Sequence, residues 1–163
     1  RLALAWAYRN AVTFNGDPNK IYVIGRSAGG HLAGMMLAND WRSELDLPES
    51  LIKGACVLSG LFDLEPVRLS NANEWAKLDK ESAYRNSPLH HLPEFGCPLI
   101  VGWGEHETNE FKRQSDIYRI AWQARGWPCQ TMEFSGKHHF ASMPDLMFPS
   151  ETCTKAVFLQ IGL

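Results

Sequence analysis

The apolar run Ile21-Tyr22-Val23-Ile24 stops at Gly25, and over Gly25-Arg26-Ser27-Ala28-Gly29-Gly30 the chain turns into the helix-forming stretch from His31 to Asn39. A strand, a glycine-flanked turn and a helix, in that order, can hold the residue at the turn's apex in a strained backbone conformation. Gly25 and Gly29 remove side chains where the backbone must approach closely, so the hydroxyl of Ser27 is expected to face a cleft. By itself the G-x-S-x-G pentapeptide is weak: with glycine and serine each at about 7% of an average protein, chance supplies it in roughly one chain in twenty of this length. Its weight comes from the flanking strand and helix, and from an acid and a histidine that follow in the order nucleophile, acid, base that goes with a strand–turn–helix nucleophile.

The strand-then-glycine pattern recurs. Lys20 to Gly25 is followed by Ile52 to Leu58, which ends at Ser59-Gly60; by Pro98 to Trp103, which ends at Gly104; and by Pro128 to Phe134, which ends at Ser135-Gly136. Between and around them lie helical patterns. Leu2, Leu4, Ala5, Tyr8, Ala11 and Val12 recur at helical spacing up to the turn Asn15-Gly16-Asp17-Pro18, and further helices are expected over about 109–125 and 150–160. The stretch from about Asn71 to Pro93 reads as a polar excursion. Short apolar strands alternating with helices imply an α/β fold, with about four parallel strands covered on both faces. Catalytic groups in such sheets gather beyond the carboxyl ends of the strands. That rule selects Ser27, Leu61-Phe62-Asp63, Glu105-His106-Glu107 and His138-His139.

A length of 163 residues suits a single domain with a sizeable core. The formal net charge is -2 and there is no long basic run, so no nucleic-acid partner is expected. Nor does any apolar run approach the roughly 20 residues that would span a bilayer. These features point to a small-molecule substrate and a cytoplasmic setting without membrane association. Cys56, Cys97, Cys129 and Cys153 are scattered, with no metal-ligand spacing, and read as core or near-core residues rather than metal ligands or disulfide partners. Arg1 opens directly into a helical pattern without an initiator Met, so the chain reads as part of something longer.

A serine hydroxyl needs a base to take its proton, and the base needs an acid to fix its tautomer and stabilise its charge. Only His138 and His139 follow the last strand. His139, at the far end of the loop before Phe140, is the expected base, with His138 its rival. Glu107, three residues after the glycine that closes the third strand, is the expected acid, and Asp63 is the alternative. Glu105 and Glu110 are assigned to the solvated face, His31 to packing or capping near the elbow helix, and His90 and His91 to an exposed loop. His106 fits either a pocket wall or a solvated loop. The backbone N–H of Ala28 is the expected oxyanion donor. Leu61, Phe62, Trp103 and Phe140 are expected to line an apolar pocket. The second oxyanion donor normally lies on an earlier Gly-rich loop, and the 24 residues before Gly25 contain no His-Gly-Gly.

Taken together the motifs resemble the α/β-hydrolase superfamily and, within it, the kynurenine formamidase (arylformamidase) group of esterase-like enzymes. The resemblance rests on Asp17-Pro18-x-x-Ile21, Gly25 through Leu32, Leu58-Ser59-Gly60-Leu61-Phe62-Asp63-Leu64-Glu65-Pro66, Ser87-Pro88-Leu89, Glu107-x-x-Glu110-Phe111-x-Arg113-Gln114-Ser115 and His139-Phe140. The first two segments recur broadly among esterases, and the Ser-Gly-Leu-Phe-Asp-Leu-Glu-Pro stretch is more particular to the formamidase-like group. The resemblance implies a triad of Ser27, Glu107 and His139, and hydrolysis of N-formylkynurenine to kynurenine and formate without a metal or organic cofactor. It covers the C-terminal portion of the family's domain across residues 1–163. Two positions depart from the family pattern: Glu stands where Asp is more usual, and the N-terminal strands with the His-Gly-Gly-x-Trp loop are absent. A nucleophile strand without its outer neighbour presents an unpaired edge, where self-association is expected.

Overall fold

The computed structural model describes residues 1–38, 41–141 and 148–163. Its frame is one parallel sheet of four strands in the order β1-β2-β3-β4, formed by Ile21–Arg26, Ile52–Leu58, Leu99–Gly104 and Cys129–Phe134. The strands lie within a residue or so of the apolar runs that announce them. Side chains alternate between the two faces, because successive Cβ atoms of a strand point oppositely. Ala55, Val57, Leu99 and Val101 enter one core, whereas Cys56, Leu58, Ile100, Met132 and Phe134 enter the other.

The strand order also determines where the helices lie. Each crossover steps the same way across the sheet, and right-handed crossovers then fall on a single face. Accordingly α2 (Ala28–Leu37) and α6 (Asn109–Ala124) share the larger core, to which α1 (Leu2–Asn10) adds Ala5. Trp41, Tyr118 and Trp122 are fully buried there. The indole N–H groups of Trp41 and Trp122 donate to the carbonyls of Met36 and Cys97, both at 3.1 Å, so neither buried ring strands a polar atom. The other face is covered by the last helix, α7 (Thr152–Ile161), through Cys153 and Val157.

One expectation needs correction. The helix after the elbow starts at Ala28 rather than His31, because the turn is tight enough for Ser27 to serve as its N-cap. Asn39, its expected end, lies outside the described residues. The polar excursion is built of short helices. After α3 (Glu65–Arg68), it holds α4 (Asn73–Ala76), α5 (Lys80–Arg85) and a short 3-10 turn at Pro88–His90. At the start of α5 the Asp79 carboxylate accepts the Ser82 N–H at 2.7 Å while the Ser82 hydroxyl accepts the Asp79 N–H at 2.9 Å, a reciprocal capping box. No helix among the described residues is long and apolar enough to cross a membrane.

Candidate active site

Ser27 sits between β1 and α2 with φ 55° and ψ −122°, a conformation that non-glycine residues rarely adopt. Its N–H donates to the Leu58 carbonyl at 2.9 Å, tying the elbow to the end of β2. The glycines that make this possible are Gly25 and Gly30. A Cβ on Gly25 would lie 2.0 Å from the Gly29 carbonyl oxygen, and one on Gly30 would lie 2.9 Å from the Gly60 Cα. Gly29, expected to be the second required glycine, would meet nothing within 4 Å. The close approach is between α2 and the loop after β2, and it falls one residue later than the pentapeptide suggests.

The Ser27 hydroxyl is 2.9 Å from His139 Nε2. Behind it, His139 Nδ1 lies 3.5 Å from Glu107 Oε1, and the Glu107 side chain is inaccessible to solvent. Although 112 residues separate Ser27 from His139, two loops bring the three groups together. The Glu105 N–H donates to Phe134 O at 3.0 Å and the His106 N–H to Lys137 O at 2.8 Å. A Cβ on Gly104 would lie 2.4 Å from Lys137 O, so the two loops run backbone against backbone. Glu105 is exposed, as expected, but it is also an anchor: its carboxylate accepts the Gly136 N–H at 2.7 Å and the Ser135 hydroxyl at 2.8 Å. These two donors, the Gly136 N–H first, hold its carboxyl below the usual carboxylate range. Phe111 of α6 stacks on the His139 ring at 4.2 Å, fixing the imidazole plane.

The rival residues are engaged elsewhere. Asp63 accepts the Glu65 N–H at 3.1 Å and pairs with Arg113 at 3.6 Å. His138 is exposed, and its Nδ1 accepts the Phe140 N–H at 3.2 Å. His31 Nε2 lies 2.7 Å from Asn86 O, His90 stacks on Tyr84, and His106 is exposed. Glu110, assigned to the solvated face, binds the Arg113 guanidinium through both oxygens and also accepts from Gln114. The Arg113 guanidinium lowers its carboxyl from the ordinary value.

A cleft of about 420 Å³ opens onto Ser27 and Ala28, walled by Leu61, Val67, Trp75 and Phe111. Ala28 begins α2, so its N–H has no acceptor within the helix. Of the expected pocket residues only Leu61 lines this cleft. Phe62 is fully buried and stacks on Tyr118 at 4.1 Å, because the Gln114 amide oxygen accepts the N–H groups of Phe62 and Asp63 and turns the loop inward. Trp103 packs against the larger core, and Phe140 is 81% exposed beside the Arg26 guanidinium. The sequence reading names neither Trp75 nor Val67, which lie on helices too short to show a period. Among the described residues no three His, Cys, Asp or Glu side chains gather as a metal site.

The family model BD-FAE matches residues 1–89, more than half of the chain. The chain belongs to the BD-FAE family. Among curated proteins, kynurenine formamidase of Danio rerio is 33% identical over 147 residues, covering 87% of this chain and 50% of that one. The chain spans about half the length of the curated relatives it matches first. Among solved structures, a putative thioesterase from Silicibacter sp. TM1040 superposes with a TM-score of 0.72 at 25% identity, over 93% of this chain and 56% of the other. An acetyl ester-xyloside bifunctional hydrolase from Caldicellulosiruptor lactoaceticus gives 0.74 at 18% identity, over 98% of this chain and 63% of the other. The four parallel strands and flanking helices are those of the α/β-hydrolase fold.

Proposed function

We propose that these residues form the catalytic centre of a cofactor-independent serine hydrolase acting on a small acyl or formyl substrate, with N-formylkynurenine the favoured one. The observation that carries this reading is the line from the strained Ser27 through His139 to the buried Glu107, with contacts of 2.9 and 3.5 Å. In this mechanism Ser27 Oγ attacks the carbonyl carbon and His139 Nε2 takes its proton. Glu107 stabilises the imidazolium, and the Ala28 N–H faces the developing oxyanion. His139 then protonates the leaving amine or alcohol, and water, deprotonated by the same imidazole, releases formate or another acid from Ser27. The 3.5 Å separation suits a resting site, since catalytic hydrogen bonds often tighten only with substrate bound.

The likeness to kynurenine formamidases supports a formyl amide, and the aromatic walls Trp75 and Phe111 suit a flat aryl leaving group. The test is hydrolysis of N-formylkynurenine and p-nitrophenyl acetate, with fluorophosphonate labelling, in wild type and Ser27→Ala. Formamidase activity that falls by about 10⁴- to 10⁶-fold in the variant is the expected outcome. Ester hydrolysis without formamidase activity would replace the substrate class. A folded wild type that neither turns over nor labels would overturn the hydrolase reading.

A further inference from the structure

Ser59 follows β2 directly, is fully buried, and holds a left-handed φ of 48°. Its N–H donates to Gly102 O at 2.7 Å, which fastens it to β3. A buried left-handed position favours glycine, because a side chain there is strained. Serine at this position has its hydroxyl committed to one contact, a 2.6 Å hydrogen bond donated to Glu107 Oε1. That oxygen is the one 3.5 Å from His139 Nδ1, while Glu107 Oε2 has no hydrogen-bond partner among the described residues.

We infer that Ser59 is a positioning residue that aims the Glu107 carboxylate at His139, an inference that rests on the hydrolase reading above. Glutamate carries one more rotatable bond than aspartate, so a carboxylate anchored only at its backbone could present either oxygen or turn aside. The Ser59 hydroxyl, 2.6 Å from Oε1, fixes that last torsion. A carboxylate oxygen has two lone pairs, so Oε1 can hold the Ser59 hydroxyl and still accept from His139 Nδ1 when that 3.5 Å contact tightens. No proton passes through Ser59. It remains a donor throughout, and its effect on Ser27 is carried by Glu107 and His139. The sequence disguises this role, because Ser-Gly after an apolar run reads as an ordinary strand-ending turn and the partner lies 48 residues away.

The test compares Ser59→Gly, Glu107→Gln and the double variant by fluorophosphonate labelling rate at Ser27 and by kcat and KM on p-nitrophenyl acetate. Glycine suits the left-handed backbone, and circular dichroism checks that each variant is folded. Ser59→Gly should slow labelling and lower kcat by about 10- to 100-fold while KM changes less than about twofold. Added to Glu107→Gln it should change either rate by less than about threefold, since two residues that act through one contact are not additive. Labelling of Ser59→Gly at the wild-type rate overturns the positioning role, as does a loss repeated in full on the Glu107→Gln background. In both cases the hydrolase reading stands. A folded wild type whose Ser27 does not label overturns that reading first, and this inference with it.

Discussion

Ser27 keeps its strained backbone, at a cost of order 1–3 kcal/mol, because neighbouring groups over-determine it. The Leu58 carbonyl holds its N–H, and two glycines let strand, helix and loop close around it. The three glycines of the motif are alike in sequence but not in what surrounds them, so they should respond differently to one added methyl. Gly29→Ala meets open space and should leave denaturant-unfolding stability unchanged or raise it by up to about 1 kcal/mol, since alanine favours the helix. Gly30→Ala drives a Cβ against the Gly60 and Leu58 backbones and should cost about 1–3 kcal/mol. Equal effects at the two positions would mean that the elbow is not packed as described. Sequence could place the strained turn at Ser27 because the demand for small flanking residues is local. It could not choose between Gly29 and Gly30, because the deciding atoms belong to Gly60, half a fold away. The same limit applies to Phe62, drawn into the core by Gln114, and to Ser59.

Strands and long helices were legible because each carries its own period. The boundaries of β2 coincide with the apolar run Ile52–Leu58, and α6 spans nearly the whole amphipathic stretch expected of it. The short helices between β2 and β3 carry too few turns for a period to emerge, and with them went most of the cleft wall. Loop pairing was equally hidden. Glu105 looks like a solvated charge, yet it fastens the turn after β3 to the loop that carries His139. Its carboxyl sits below the ordinary value because the Gly136 N–H and the Ser135 hydroxyl favour the charged form, with His106 and Lys112 adding to the effect. A folded-state pKa below the unfolded one means that the anchor contributes above the ordinary carboxylate pKa of about 4.3 and is lost as pH falls through the lowered value. In an NMR titration the Gly136 amide proton should therefore shift with a midpoint below about 4.3. Glu105→Ala should abolish that titration. A midpoint at or above the ordinary value would show that the two loops are joined without this carboxylate.

The sheet divides the molecule into two unequal cores, and stability should divide with it. On one face α1, α2 and α6 bring Ala5, Ala33, Leu37, Tyr118 and Trp122 against the strands. On the other, among the described residues, α7 alone of the helices contributes, through Cys153 and Val157, while its Leu159 remains 80% exposed and Ile24 of β1 is 46% exposed. Local opening free energy follows the apolar contacts that must be broken, so α7 should open below the global unfolding free energy, whereas β2 and β3 open only with the whole. Native-state hydrogen exchange read by mass spectrometry separates these events. Amides of α7 should exchange through an opening with weak denaturant dependence, and those of Val57, Leu58 and Val101 through global unfolding. Val157→Ala should speed exchange in α7 by about tenfold or more, in line with a cost of about 1 kcal/mol or more per lost buried methyl group, and leave α6 nearly unchanged. The site hangs mainly on the well-covered side: Ser27 caps α2, Phe111 lies on α6, and Ser59 is laced to β3. If α7 exchanges with the same free energy and denaturant dependence as β2, the two faces form one cooperative unit and this division fails.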